Sequence, residues 1–215
     1  MSAYAKTSDG WTVDPASIDT HRLEVALAIL EGTRDRPAQH SCFGMHEWAM
    51  VYRMDPATIR HKQQPLRLSI EQISVAVDEV GLRCTHIDAF RFFTDEAVPV
   101  NAYVPTRTNQ PDMEQPGCLH ANMDLFKYAM WFQPYVPGDL VLDCFELSVH
   151  AREIDMRASP YDVSDLGYPP IPIETPEGRL DYAREQRSIA DRAQPLRLQL
   201  VKKLQAVQTA ATPAP

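Results

Sequence analysis

Four short segments of this sequence gather the side chains able to move protons or grip anions. The richest is GCLHANMDLFKYAMWFQP, residues 117–134. As a helix it places His120, Asp124 and Lys127 on one face, because residues three and four apart lie one turn above each other. An imidazole, a carboxylate and an ammonium in one row can exchange protons, hold an anion, bind a metal through the His–Asp pair, or lie as a salt-bridged face in solvent. Tyr128 and Trp131 make the surroundings apolar, which weighs against the last use. Leu119, Met123, Phe126 and Met130 share the face that reads as core.

The second segment is HSCFGMHEWAMVY, residues 40–52. His46 and Glu47 sit side by side among apolar neighbours. A carboxylate beside Trp48, Met50 and Val51 is costly to bury without a partner, and burial would raise its pKa and make it a candidate base. His46 reads equally as a core histidine with one satisfied hydrogen bond. The third segment, RCTHIDAFRFF, residues 83–93, carries His86, Asp88 and Arg91. Arg91 between two phenylalanines fits a bidentate grip on a carboxylate, sulfate or phosphate, or a local pair with Asp88. The fourth, residues 142–162, has an apolar face of Cys144, Leu147, Ala151 and Ile154. Asp143, Glu146, His150, Glu153 and Arg157 form the opposite stripe, which reads as solvated. At its end Arg157 and Tyr161 bracket a Ser-Pro turn, where side chains can point into a cleft.

Several chemistries are absent as motifs. There is no GxGxxG, no phosphate-binding GxxxxGK[ST] and no GxSxG. His46-Glu47 is not HExxH, because position 50 is Met. The four cysteines form no CxxC pair and read as small buried thiols. By residue type His120, Asp124, His46 and His86 could ligate a metal. No spacing singles that out, and the reading adopted is metal-free.

Helices must carry these groups. One is expected from Asp19 to Glu31, stopped by Gly32, and another from Cys42 to Arg53. Ser69 caps a helix from Ile70 to Val80 ended by Gly81, although its β-branched residues also suit a strand. Arg83–Thr94 reads as helical and Val98–Pro116, with its prolines, as an irregular loop. Gly117–Gln133 is a helix, as is the segment from Asp139, its cap, to Arg157. Proline-rich 160–176 is extended. Thr175 and Pro176 open a last helix to Gln205, with an apolar stripe of Tyr182, Ile189, Ala193, Leu196, Leu200 and Leu204 and a kink at Pro195. The fold class is mainly α: an irregular all-α domain over residues 1–207, with room for a short strand pair, then a disordered tail over 208–215.

The chain has 215 residues, 44% of them hydrophobic, enough for one sizeable core. No apolar run reaches the roughly 18 residues that span a bilayer. The N-terminus lacks a signal-peptide pattern, and a cytoplasmic setting without membrane contact is expected. A net charge of −8 with no strong Lys/Arg cluster outside the last helix argues against nucleic acid as the partner.

Taken together, HSCFGMHEWAMVY, RCTHIDAFRFF, EQPGCLHANMDLFKYA, AREIDMRASPYD and IPIETPEGRLDYAREQ resemble an actinobacterial family known under the name of 3-methyladenine DNA glycosylase. The resemblance covers about His40 to Leu200. That name implies DNA repair, yet no helix-hairpin-helix glycine pattern with a following Asp is present. Family members carry a further N-terminal region before the segment matching His40, and here the lead-in is short. A small separate subunit replacing that region is expected, since a core built for it would leave apolar surface exposed. This arrangement is similar to the heterodimeric aziridine-forming enzymes of azinomycin-type biosynthesis. The resemblance implies ring closure without a cofactor: an amine displaces a neighbouring sulfate ester on an amino-adipate-type substrate held by an amino-group carrier protein. His120, Asp124, His46 and Glu47 are the candidate catalytic residues that accept the proton. Arg91, Lys127, Arg157, His86 and Tyr161 are the candidates for holding the substrate and the departing anion. A noncatalytic binding subunit is the remaining alternative, and it would leave the His120–Asp124–Lys127 row outside any cavity.

Overall fold

A computed structural model describes residues 3–59 and 63–211. The chain opens with a hairpin of β1 (Tyr4–Thr7) and β2 (Gly10–Val13), paired antiparallel with Tyr4 opposite Val13. Eight α-helices follow among the described residues: α1 (Thr20–Asp35), α2 (His46–Ala49), α3 (Ile70–Val80), α4 (Ile87–Phe90), α5 (Gln110–Met113), α6 (Leu119–Trp131), α7 (Gly138–Ala158) and α8 (Pro176–Ala211). The fold is thus mainly α with one short strand pair, as the sequence implies. The long helices α6, α7 and α8 pack on one another, and α1 closes the bundle against α8 and α5. No described helix is long and apolar enough to cross a membrane.

Local signals explain most boundaries. Asp19 caps α1 by accepting from the Arg22 N–H at 2.9 Å. At α3 the Ser69 hydroxyl accepts from the Gln72 N–H, and the Gln72 side chain accepts from the Ser69 N–H, a reciprocal box that settles helix over strand. Thr175 accepts from Gly178 N–H at 3.0 Å and Pro176 begins α8. That helix runs through Pro195 without interruption.

Other expectations are corrected. Gly32 does not stop α1, which continues to Asp35. Glycine serves contact there: a methyl group on it would stand 2.3 Å from the Pro111 carbonyl oxygen, so α5 could not lie this close. The Cys42–Arg53 helix shrinks to α2, because Phe43 (φ 46°) and Gly44 (φ 72°) turn the backbone left-handed before it and Arg53 (φ 50°) after it. Arg83–Thr94 keeps only α4, since residues 82–84 run extended beside Asn101. The irregular loop over 98–116 contains a 3-10 turn, Val98–Val100, and α5. Pro137, not Asp139, precedes α7, and Asp139 lies in its first turn. The proline-rich stretch includes a 3-10 turn at Ser164–Leu166.

The last helix passes Gln205 to Ala211, where Val207 and Ala211 still pack on the core. Residues 208–211 are therefore helical, and 212–215 lie outside the described residues. The apolar stripe of α8 is buried as expected, with Leu196 only partly so.

The core face of α6 is also different. Leu119, Ala121, Asn122, Leu125, Tyr128 and Ala129 are buried, whereas Met130 is 49% exposed. α6 packs against two helices, α7 and α8, so its small residues and Asn122 turn inward. Asn122 accepts from Arg197 of α8 at 2.7 Å and donates to the Pro116 carbonyl at 3.0 Å. Arg197 is wholly buried, and burial lowers its pKa to about 10. The predicted apolar face of α7, Cys144, Leu147, Ala151 and Ile154, is buried. Leu142, Phe145 and Val149 are not: they form an exposed apolar strip along α7, and Phe145 meets Phe126 of α6.

Arg197→Ala removes both the packed stem and the donor to Asn122, at a cost of about 2–5 kcal/mol by analogy with other large-to-small core truncations. Urea unfolding of the variant against the parent chain checks this.

Candidate functional site

Three histidines meet at the centre of the molecule, each delivered by a different element. Trp48 of α2 donates its indole N–H to the Ala158 carbonyl of α7 at 2.8 Å, which fixes His46 against α7. Asn101 clamps the extended strand before α4: it accepts from the Cys84 N–H at 2.8 Å and donates to the Cys84 carbonyl at 2.9 Å. That clamp sets His86. Gln186 of α8 donates to the Gly117 carbonyl at 2.6 Å and holds the start of α6, hence His120. The His46 and His120 rings meet edge to face with centroids 4.4 Å apart, and the His120 and His86 centroids are 5.3 Å apart.

Carboxylates close both ends of this row. At one end His46 Nε2 lies 3.1 Å from Asp155 Oδ1, and Asp155 Oδ2 accepts from Arg152 at 2.7 Å. Glu47 stands 4.0 Å from His46 and 3.5 Å from Arg152. At the other end His86 Nε2 lies 3.3 Å from Asp124 Oδ2 and 3.1 Å from Glu114 Oε1. Gln110 donates to Glu114 at 2.6 Å. Lys127 pairs closely with Asp124 and lies 3.9 Å from Asp88, which Arg107 also holds. Arg36, the residue after α1, donates to the carbonyls of Pro111 and Glu114 and so places the Glu114 segment.

Electrostatics differentiates the three rings. Burial opposes charge on His46, but Asp155 and Glu47 outweigh it and raise its pKa. His86 is raised in the same way, against burial, by Glu114 and Asp124. His120 has no such carboxylate in contact; burial, with His46 and His86 on either side, pushes it down to about 3. The middle ring is therefore neutral at pH 7, with a lone pair on one nitrogen. Burial works against the Asp124 carboxylate, yet His86 and Lys127 pull it down to about 2. Asp155 is lowered too, its burial overcome mainly by His46. Burial raises Glu114, only partly countered by His86.

Two cavities adjoin the row. A small one, about 20 Å³, is lined by His46, His120, Cys42, Cys84, Cys118 and Tyr182 and has room for one water-sized molecule. A second is an open groove of about 450 Å³ between α6 and α7, within the size range of small-molecule sites. Met123, Phe126, Val149 and Met156 give it apolar walls, and Lys127 and Arg152 line it as well. Those two cations are the outer partners of Asp124 and Asp155, so each end of the histidine row reaches the groove through a salt bridge.

The structure brings together His120, Asp124, His46, Glu47, His86 and Lys127 from the sequence-predicted set. It does not bring in the rest. Arg91 is 55% exposed, stacks on Phe92 and touches the network only through Asp88, 3.7 Å away. Arg157 donates to the Pro169 carbonyl and to Glu153. Tyr161 is buried beside Leu66, where the two form an isolated bridge.

Sequence reasoning missed Asp155, Glu114 and Arg152. Asp155 had a signal, since it follows Ile154 on the same buried stripe as Ala151 and Leu147. Glu114 had none, because its segment has no periodicity. No protein-family model, curated protein or solved structure matches the chain.

Asp155→Ala removes the buried carboxylate that favours the charged form of His46 against burial, and breaking this buried pair costs about 3–5 kcal/mol. Arg91→Ala breaks only an exposed pair and should cost about 0–1 kcal/mol. Parallel denaturation curves of the two variants test the contrast.

Proposed function

We propose that this chain is the larger subunit of a heterodimeric ring-forming enzyme, one that closes an aziridine by amine displacement of a neighbouring sulfate ester. The observation that carries this reading is the groove in which Lys127 and Arg152 border the carboxylate–imidazole row. The groove presents Lys127 and Arg152 beside the carboxylate Glu153, and an anionic group of the substrate would contact the two cations in exchange for part of their present acidic partners. In the displacement the amine nitrogen forms a bond to the carbon bearing the ester oxygen. The C–O bond breaks, and sulfate leaves with the electron pair. The ammonium proton passes to a carboxylate. Atoms and electrons balance without an oxidant or an organic cofactor.

Asp124 is the partly exposed carboxylate beside Lys127 of the groove; since His86 and Lys127 hold its pKa down to about 2, it takes the proton only in passing and releases it to solvent. Its side chain keeps 16% exposure beside the groove, and His86 behind it contacts Glu114 as well, so charge gained by Asp124 is shared along a hydrogen-bonded chain. Lys127 and Arg152 hold the sulfate and the substrate carboxylate. Fixing amine and leaving group in line supplies the larger share of the rate, up to about 7–11 kcal/mol in well-oriented intramolecular reactions. A substrate tethered to an amino-group carrier protein enters from the open side of the groove.

The exposed strip on α7 supports a partner. Leu142, Phe145 and Val149 stand out at 45–54% exposure, and Phe145 stacks on Phe126 of the groove wall at 5.2 Å. The strip and the groove rim are thus continuous, and a small subunit seated there would roof the groove. A net charge of −8 weakens the DNA-repair reading. A row lined by cavities weakens the noncatalytic one.

Asp124→Ala is expected to slow ring formation from the carrier-bound sulfate ester by about 10²–10⁴-fold. Unimpaired turnover in a folded complex would remove Asp124 from the mechanism. Phe145→Asp is expected to abolish co-purification with a co-expressed small subunit while the circular dichroism spectrum stays that of the parent chain.

A further inference from the structure

We infer that His46, His120 and Asp155 form a binding site for one divalent transition-metal ion. The three side chains come from α2, α6 and α7, and each offers one ligand atom within 4.8 Å of the other two. Ligand atoms of a tetrahedral site with bonds of about 2.0 Å lie about 3.3 Å from one another. His46 Nε2 and Asp155 Oδ1 are 3.1 Å apart. They are nevertheless not aligned as a hydrogen bond, and both are buried atoms without any hydrogen-bond partner. The ion pair they form is misaligned for a hydrogen bond, and a metal cation taking the place of the imidazole proton would satisfy both buried atoms.

The surroundings suit an ion with nitrogen and oxygen preferences. Two imidazoles and one carboxylate make a ligand set used for Zn²⁺ and for Fe²⁺. Arg152 occupies the other oxygen of Asp155 and so leaves Oδ1 turned to the histidines, the kind of outer contact that orients a ligand. Glu47, 4.0 Å from His46, adds a second negative charge nearby. The small cavity touching both His46 and His120 has room for one water or one small anionic group as a further ligand. Three protein ligands with one open position is the pattern of a reactive metal centre, since structural centres fill all positions with side chains.

The neighbouring set of His86, Glu114 and Asp124 also meets within ligand distance, yet it already has its partners. His86 Nε2 bonds to Asp124, Lys127 neutralises Asp124, and Gln110 donates to Glu114. A cation there would have to displace Lys127. One ion at the Asp155 end is therefore the expectation; it shares Arg152 with the ring-closing reading, whose proton acceptor lies at the Asp124 end.

The test uses the full chain, stripped with a chelator and titrated with Co²⁺, then with Zn²⁺. The expected result is one equivalent of Co²⁺ bound with visible d–d absorption bands, displaced by Zn²⁺, and a higher Tm in Zn²⁺. Arg152→Ala should weaken binding by about 10–100-fold, as loss of an orienting contact does, and His120→Asn and Asp155→Asn by more. His150→Ala, which removes a ring paired with Arg192 of α8 rather than with the three ligands, should bind like the parent chain. Absence of both the bands and the thermal shift in the parent chain overturns the inference, whatever the variants do. Binding that survives in folded His120→Asn and Asp155→Asn overturns it too. Metal binding is read without substrate, so this failure and failure of the ring-closing assay are separate results.

Discussion

Three imidazoles in mutual contact inside a protein impose a constraint that most of this structure serves. They cannot all be charged, because the repulsion would add to the cost of burial, and they cannot all be left without partners. The arrangement found here is alternation. Asp155 holds His46, Asp124 and Glu114 hold His86, and His120 between them stays neutral. Each outer ring has its carboxylate within about a hydrogen-bond length, and each outer carboxylate except Glu114 has a cation of its own. Glu114 has only an amide and the imidazole, and burial accordingly raises it.

Holding such an alternation requires that backbone segments far apart in sequence be fixed to within a few tenths of an ångström. Side-chain-to-backbone bonds do this more than helix packing does. Trp48 reaches across 110 residues to Ala158, Arg36 across 78 to Glu114, and Gln186 across 69 to Gly117. Each ties a loop or helix end to the scaffold at the point where a histidine or a carboxylate leaves it. The long helices α6, α7 and α8 provide stiffness. The polar clamps provide register, and because they are buried they stay worth making: losing one leaves its partner unsatisfied.

What could be read from the sequence follows from periodicity. His120, Asp124 and Lys127 were legible as a row because α6 is regular, and the row is there. The same regularity misled about its core. A single apolar stripe suits a helix with one neighbour, whereas α6 has two, so Ala121, Asn122 and Ala129 go inward and Met130 outward. Asp155 lay in plain view on an apolar stripe, where an acid signals a buried partner. Glu114 and the positive φ of Phe43 come from tertiary contacts that no local pattern encodes. Capping chemistry at Ser69 and Thr175 was readable, being local by nature. The contact role of Gly32 was not, since Pro111 lies 79 residues away in the chain.

The two ends of the histidine row are not equivalent, and the difference bears on what each can do. Asp124 retains 16% of its side-chain surface, and the cation beside it, Lys127, retains 27%. Asp155 retains none, and only Arg152 links it to the groove. A group that must meet a substrate and exchange a proton needs the first kind of setting, where the carboxylate can be reached and its counter-ion can move aside. A group that must keep a fixed geometry needs the second, where burial and the Arg152 contact hold the carboxylate still. His120 touches both rings and belongs wholly to neither end. Its ring lies 5.3 Å from that of His86 and 4.4 Å from that of His46, centroid to centroid, so its neutrality is what lets both neighbours keep their carboxylates.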